Sequence, residues 1–142
     1  MTETMLTRAD FLGEWTLSRR IDDLLTEQSG VFEGMARFSP VETTGAVYEE
    51  SGLLRLGDAP PMTAERRYLW DFGEEAVTVR HADGRDFFSF APGGRGAEIV
   101  HVCDPDIYRV IHDFTAWPRW QAIWTVTGPR KDYRLRSGWR RV

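Results

Sequence analysis

The side chains able to do chemistry are few and widely spaced. There are three histidines, His81, His101 and His112, and one cysteine, Cys103. His101 and Cys103 stand two residues apart, so on a strand they share a face, with His112 across the next hairpin. Such a group could bind zinc, and a single histidine could ligate haem, but neither follows a dedicated ligand spacing. No metal and no cofactor is therefore expected. A thiol beside a histidine can be an activated nucleophile, although a small buried thiol explains Cys103 more simply. His101 or His112 with Tyr108 could serve as base and acid in a small isomerase or lyase.

A second set is cationic and phenolic. Arg19 is in phase with Trp15, Leu17 and Ile21, and Arg66 with Ala64, Tyr68, Trp70 and Phe72. His81 follows Val77 and Val79 at the same spacing, Tyr108 and His112 share a face with Val110 and Phe114, and Lys131 is in phase with Tyr133. The phase of 97–103 is ambiguous, because Ile99 and Val100 both suit burial; Ile99, His101 and Cys103 are taken as inward. Trp124 joins Tyr68 in the aromatic wall. A buried guanidinium must be compensated. Glu50, in phase with Tyr48, is one candidate; water in an open cavity and an anionic ligand are the others. Arginine and tyrosine together offer a carboxylate a planar fork and a hydroxyl.

These phases presuppose strands. Alternation of period two runs through most of the chain, in runs near 15–22, 32–38, 45–56, 62–72, 76–81, 86–90, 97–103, 107–114, 120–127 and 132–141. Turn-forming residues separate them, among them Gly57-Asp58-Ala59-Pro60, Ala82-Asp83-Gly84-Arg85 and Thr127-Gly128-Pro129-Arg130. One short helix is expected around Thr7–Leu12, ended by Gly13. The prediction is all-β: a single antiparallel up-and-down barrel domain of about ten strands over 1–142, with closure removing its edges. Alternating strand directions put the turns near 24–30, 57–61, 82–85, 103–106 and 128–131 at one end. Trp15 and the helix lie at the other.

Composition narrows the function classes. With 142 residues the chain can bury a core without disulfides, and one cysteine excludes an internal disulfide framework. It has no apolar run of the roughly 18–20 residues that a membrane span needs, and no signal-peptide pattern at its start; a cytoplasmic setting is expected. Net charge is −4, with +6 concentrated in 119–142 and −10 elsewhere. Pairing of the last strand with the acidic first one accounts for that asymmetry, so no nucleic-acid partner is expected. Pro92-Gly93-Gly94-Arg95-Gly96 lacks the Lys-Ser/Thr and helix of a phosphate loop, and Asp104-Pro105-Asp106 reads as a turn. Homodimerisation through the outer sheet is possible in principle but has no residue signal.

Phe11-Leu12-Gly13-Glu14-Trp15 resembles the G-x-W signature of calycins, at a helix-to-strand junction. The resemblance implies that Trp15 packs across the closed end under a basic side chain from the last strand. Arg141, in phase with Tyr133, Leu135 and Trp139, is that side chain. Pro61-Met62-Thr63-Ala64-Glu65-Arg66-Arg67-Tyr68-Leu69-Trp70 and Trp124-Thr125-Val126-Thr127-Gly128-Pro129-Arg130-Lys131-Asp132-Tyr133 resemble an uncharacterised bacterial family of lipocalin-like barrels. That family implies the fold and a bacterial cytoplasmic setting, and no activity.

Three readings follow. The first is a barrel binding a small apolar ligand with an anionic group such as a carboxylate, oriented by Arg19, Arg66, Tyr108, Lys131 and Tyr133 near the mouth. The second is a small enzyme using His101, His112 and Tyr108. The third is a filled structural or interaction module. An internal cavity above roughly 300 Å³ would favour the first two.

Overall fold

The computed structural model describes residues 4–142. Ten strands follow one helical turn, α1 (Arg8–Phe11): β1 (Gly13–Asp23), β2 (Gln28–Val41), β3 (Gly45–Leu56), β4 (Met62–Phe72), β5 (Val77–His81), β6 (Asp86–Phe90), β7 (Ile99–Cys103), β8 (Asp106–Asp113), β9 (Trp120–Gly128) and β10 (Lys131–Arg141). They form one antiparallel sheet in the order β6-β5-β4-β3-β2-β1-β10-β9-β8-β7. First and last strands therefore meet in the middle, with Trp15 opposite Arg141 and Ile21 opposite Leu135. The sheet curls into the expected lipocalin-like barrel, nearly closed.

The closure is incomplete. β6 and β7 are neighbours without a hydrogen-bonded ladder between them. The connection 91–98 is rich in Gly and Pro and cannot keep a regular ladder. It runs instead beside the end of β8, where Gly96 N–H donates to the His112 carbonyl and Phe114 N–H to that of Gly94. β5 and β6 are short, so β5 pairs only with Tyr68–Phe72 of β4 and leaves Met62–Arg67 without a partner on that side. The mouth is thus more open along β4 than a regular barrel requires.

Alternation explains the core. Trp15, Leu17, Phe32, Ala36, Phe38, Tyr48, Trp70 and Val110 point inward and are buried. Phe11 of α1 plugs the closed end, its ring 5.0–5.9 Å from those of Phe38, Trp70, Trp117, Phe114 and Trp120. The Thr7 N-cap begins this turn, with Asp10 Oδ2 accepting from Thr7 N at 2.7 Å. The Trp15 indole N–H donates to the Phe11 carbonyl at 2.9 Å, and the Arg141 guanidinium lies 4.0 Å from the Trp15 ring centre. Arg141 also donates to the carbonyls of Leu12 and Asp10, tying the last strand to the helix.

On the outer face the pairing of β1 and β10 is mixed. Asp22 faces Arg134, but Arg20 faces Arg136. Arg20 reaches Asp22 along its own strand at 3.3 Å, so cross-strand pairing balances the charges only in part.

Candidate functional site

The barrel is crossed at mid-height by a buried ionic layer. Arg19 leaves β1 and reaches Glu50 on β3, donating from Nη1 to Oε1 at 2.6 Å and from Nη2 to Oε2 at 3.1 Å. Between them lies Gly34 of β2, paired with Gly52 of β3. A Cβ on Gly34 would meet the Ser51 carbonyl oxygen at 2.1 Å, so this crease accepts no side chain. It also leaves the diagonal from Arg19 to Glu50 clear. Ser137 Oγ accepts from Arg19 Nε at 2.7 Å, Tyr48 donates its hydroxyl to Glu50 Oε2 at 2.5 Å, and the Trp139 indole N–H donates to that phenol at 3.0 Å. Burial pushes the Glu50 carboxyl up, but the Arg19 hydrogen bonds and charge, with Tyr48 and Arg66, outweigh it and hold Glu50 below the usual carboxylate range. Burial likewise pushes the Tyr48 phenol well above its ordinary value, so it remains a donor.

Arg66 adds a second guanidinium to the same carboxylate. Its Nε is 3.8 Å from Glu50 Oε1, beyond a normal hydrogen bond, and the side chain is 36 % exposed. Its guanidinium carbon lies 5.7 Å from the Trp124 ring centre. Arg19 already takes both Glu50 oxygens, so this layer carries one positive charge in excess.

Above the layer, toward the mouth, Tyr68, His81, His101, Tyr108 and Trp124 surround the ring of Phe87, at centroid distances of 6.0, 4.5, 5.1, 5.4 and 5.5 Å. His81 stacks on Phe87; burial first, then Arg85, lowers its pKa. Burial raises the phenols of Tyr68 and Tyr133, which stay protonated near neutral pH. His101 and Tyr108 are directly opposed on β7 and β8.

Not every sequence candidate joins this group. His112 lies on the closed-end side, stacked 4.0 Å from Phe90, and burial lowers its pKa to about 3. A neutral imidazole so hard to protonate is a poor base near pH 7, and it is four residues along β8 from Tyr108. Cys103 ends β7 opposite Asp106 and is exposed. Among the described residues, no group of His, Cys, Asp and Glu could hold a metal. Lys131 is at the rim, its Nζ 2.9 Å from Asp106 Oδ2, and that bond raises its pKa.

The space available is uneven. Two small cavities flank the ionic layer, about 40 Å³ among Arg19, Tyr48, Trp70 and Trp124 and about 80 Å³ among Phe32, Leu54, Ala64 and Arg66. The interior is otherwise filled by rings. At the mouth, an open depression of about 420 Å³ is lined by Arg66, Arg67, Tyr68, His81, Ala82 and the paired Asp83 and Arg85. A larger groove of about 740 Å³ lies on the outward side of β1–β4 among charges such as Glu14, Arg37 and Glu49. Alternation does not find Phe87. A register shift between Val79 and Arg80 makes it the extra residue of a bulge, so Phe87 and Phe88 are both buried.

The fold, with a closed end and an aromatic interior, is that of a lipocalin-like barrel. The chain belongs to the family of unknown function DUF6314, which matches residues 11–141. Among solved structures it is similar to the S-type phycobiliprotein lyase CPES from Guillardia theta, with 10% identity and a TM-score of 0.68 over 95% of this chain and 90% of that one. It is also similar to a protein of unknown function of the DUF3598 family from Nostoc punctiforme, with 11% identity and a TM-score of 0.62 over 99% of this chain. The chain spans 51% of that protein's length. At these identities the likeness is one of fold. No curated protein matches the sequence significantly. Among the described residues, no helix is long and apolar enough to cross a membrane.

Proposed function

We propose that this protein binds a small, largely apolar molecule with an anionic group at the barrel mouth. The anion is received by Arg66, and the apolar body lies against Trp124 and Tyr68. One observation carries the reading: two guanidinium groups face a single buried carboxylate, and the second is half-exposed and not hydrogen-bonded to it. Arg66 therefore has its fork free for a carboxylate-like group, which is unusual for an inward-facing arginine. Arg19, saturated by Glu50 and Ser137, holds the layer together rather than contacting ligand. Tyr133 and Tyr108 offer hydroxyls at the rim, while Lys131 is already engaged by Asp106. The barrel of a phycobiliprotein lyase is a ligand-binding fold, which supports the reading without naming a ligand. The interior cavities, about 40 and 80 Å³, fall short of the roughly 300 Å³ expected of a barrel that holds its ligand inside, which by itself favours the filled module, so the reading rests on the open depression at the mouth.

The test is calorimetric titration of the protein with a series of alkyl and aryl carboxylates, repeated on Arg66→Gln. Loss of a charge-assisted fork is expected to weaken binding by roughly 10–100-fold. Equal affinities in the two proteins, or no carboxylate binding at millimolar concentration, would defeat the proposal.

A further inference from the structure

Phe87 stands out because the chain breaks its own pattern to bury it. The bulge on β6 adds one residue to the hairpin, and that residue is a phenyl ring directed into the mouth. The rings around it differ from those that bury Phe11 at the closed end. Phe11 packs against Phe and Trp rings alone, whereas Phe87, besides Phe88 at 4.9 Å and Trp124 at 5.5 Å, touches two histidines and two tyrosines, each with a polar tip. A bare phenyl uses none of those tips. Trp124 is shared: one of its neighbours is Phe87, at 5.5 Å, and another is the Arg66 guanidinium, at 5.7 Å. The ring position and the anion position thus both border Trp124. The hairpin that carries Phe87 has five-residue strands, and its outer strand shares no ladder with β7. Phe87 is thus carried by the short hairpin at one edge of the sheet, not by the long ladders of β1–β4 or β8–β10.

From these placements we infer that Phe87 is a built-in stand-in for ligand, and that the ligand is an aromatic acid whose ring takes the position Phe87 fills. The inference rests on the anion reading above and adds the chemical class of the rest of the molecule. The ring is caged by Tyr68, His81, His101, Tyr108 and Trp124, and its acid group reaches Arg66 over the Trp124 face. Polar substituents on the ring are matched by the phenol and imidazole tips. Phe87 sets the cost of entry, because it must be displaced before the cage can accept another ring.

The experiment compares phenylacetate with cyclohexylacetate, its saturated counterpart, on the wild-type chain, Phe87→Ala, Phe87→Leu and Arg66→Gln by calorimetry. With the cage vacated, Phe87→Ala should bind phenylacetate roughly tenfold tighter than wild type and prefer it to cyclohexylacetate. Phe87→Leu, which keeps part of the ring's volume, should move the same way by a smaller factor and serves if the alanine variant does not fold. If Arg66→Gln weakens both acids but neither Phe87 variant favours the aryl one, the stand-in idea is wrong and the anion site stands. If Arg66→Gln leaves both affinities unchanged, the anion site itself is wrong and this inference goes with it.

Discussion

The two ends of the barrel bury aromatic rings in opposite ways. At the closed end Phe11, Phe38, Trp15 and Trp120 are almost wholly excluded from water, and the Trp15 indole is satisfied by a neighbouring backbone carbonyl. At the mouth the rings are Tyr68, His81, His101 and Tyr108, only partly covered and polar at their tips. Between them lies the Arg19–Glu50 layer. The closed end is built like an ordinary core, where rings gain chiefly by burial, at the cost of a Trp120 indole N–H left buried without a hydrogen-bond partner. The mouth gives up burial for hydrogen-bonding capacity. Water satisfies such tips at the boundary of the barrel, and under the proposed function a ligand would take its place.

The sharpest break in the comparison is substitution to alanine at each end. Phe11→Ala removes the ring on which the closed end converges and should cost about 4 kcal/mol. Tyr108→Ala at the mouth should cost about 1 kcal/mol. Urea denaturation of both variants measures the pair, and similar losses would mean that the mouth is core after all. The ionic layer is the next test. Glu50→Gln keeps the shape of the side chain but leaves Arg19 buried without a countercharge, and should cost about 3 kcal/mol. Arg66→Gln, partly exposed and not hydrogen-bonded to Glu50, should cost about 0.5 kcal/mol or less in the same assay. The double variant Arg19→Met with Glu50→Gln should regain part of the loss, since it removes the stranded charge.

Strand parity made much of this legible in the sequence. Alternation alone sets Arg19, Glu50 and Tyr48 on one wall with Trp15 and Trp70. Which guanidinium meets which carboxylate is not a parity question. It depends on β2 lying between β1 and β3, and on the Gly34–Gly52 crease that clears the diagonal. Arg66 carries the same inward phase as Arg19, yet it has a different fate, because β5 is too short to cover the part of β4 that holds it. Phe87 was hidden for the contrary reason. A bulge inverts parity locally, and the only trace in the sequence is the adjacent pair Phe87-Phe88. The gap between β6 and β7 was hidden as well, since closure is a property of the whole curl rather than of any one run.

The histidines carry the comparison into pH. His112 is sealed among Phe88, Phe90 and Phe114, and burial alone lowers its pKa from 6.5 to about 3. In the unfolded chain it binds a proton below about pH 6.5, whereas the folded protein refuses one until about pH 3. Unfolded chains therefore hold more protons across that window, and stability must rise with pH through it. The contribution of His112 is complete above pH 6.5 and is lost progressively as the pH falls toward 3. Between pH 6.5 and pH 5 the loss should be about 2 kcal/mol. That interval lies mostly above the ordinary glutamate range, where unfolded chains begin to take up the Glu50 proton, so the two effects overlap little on the pH axis. His112→Phe should reduce the slope of this part of the profile in urea denaturation at a series of pH values, leaving the smaller share that His81, also lowered by burial, contributes. A profile from His112→Phe with the slope unchanged would mean that this imidazole is reached by water, and that the closed end is less sealed than its rings imply.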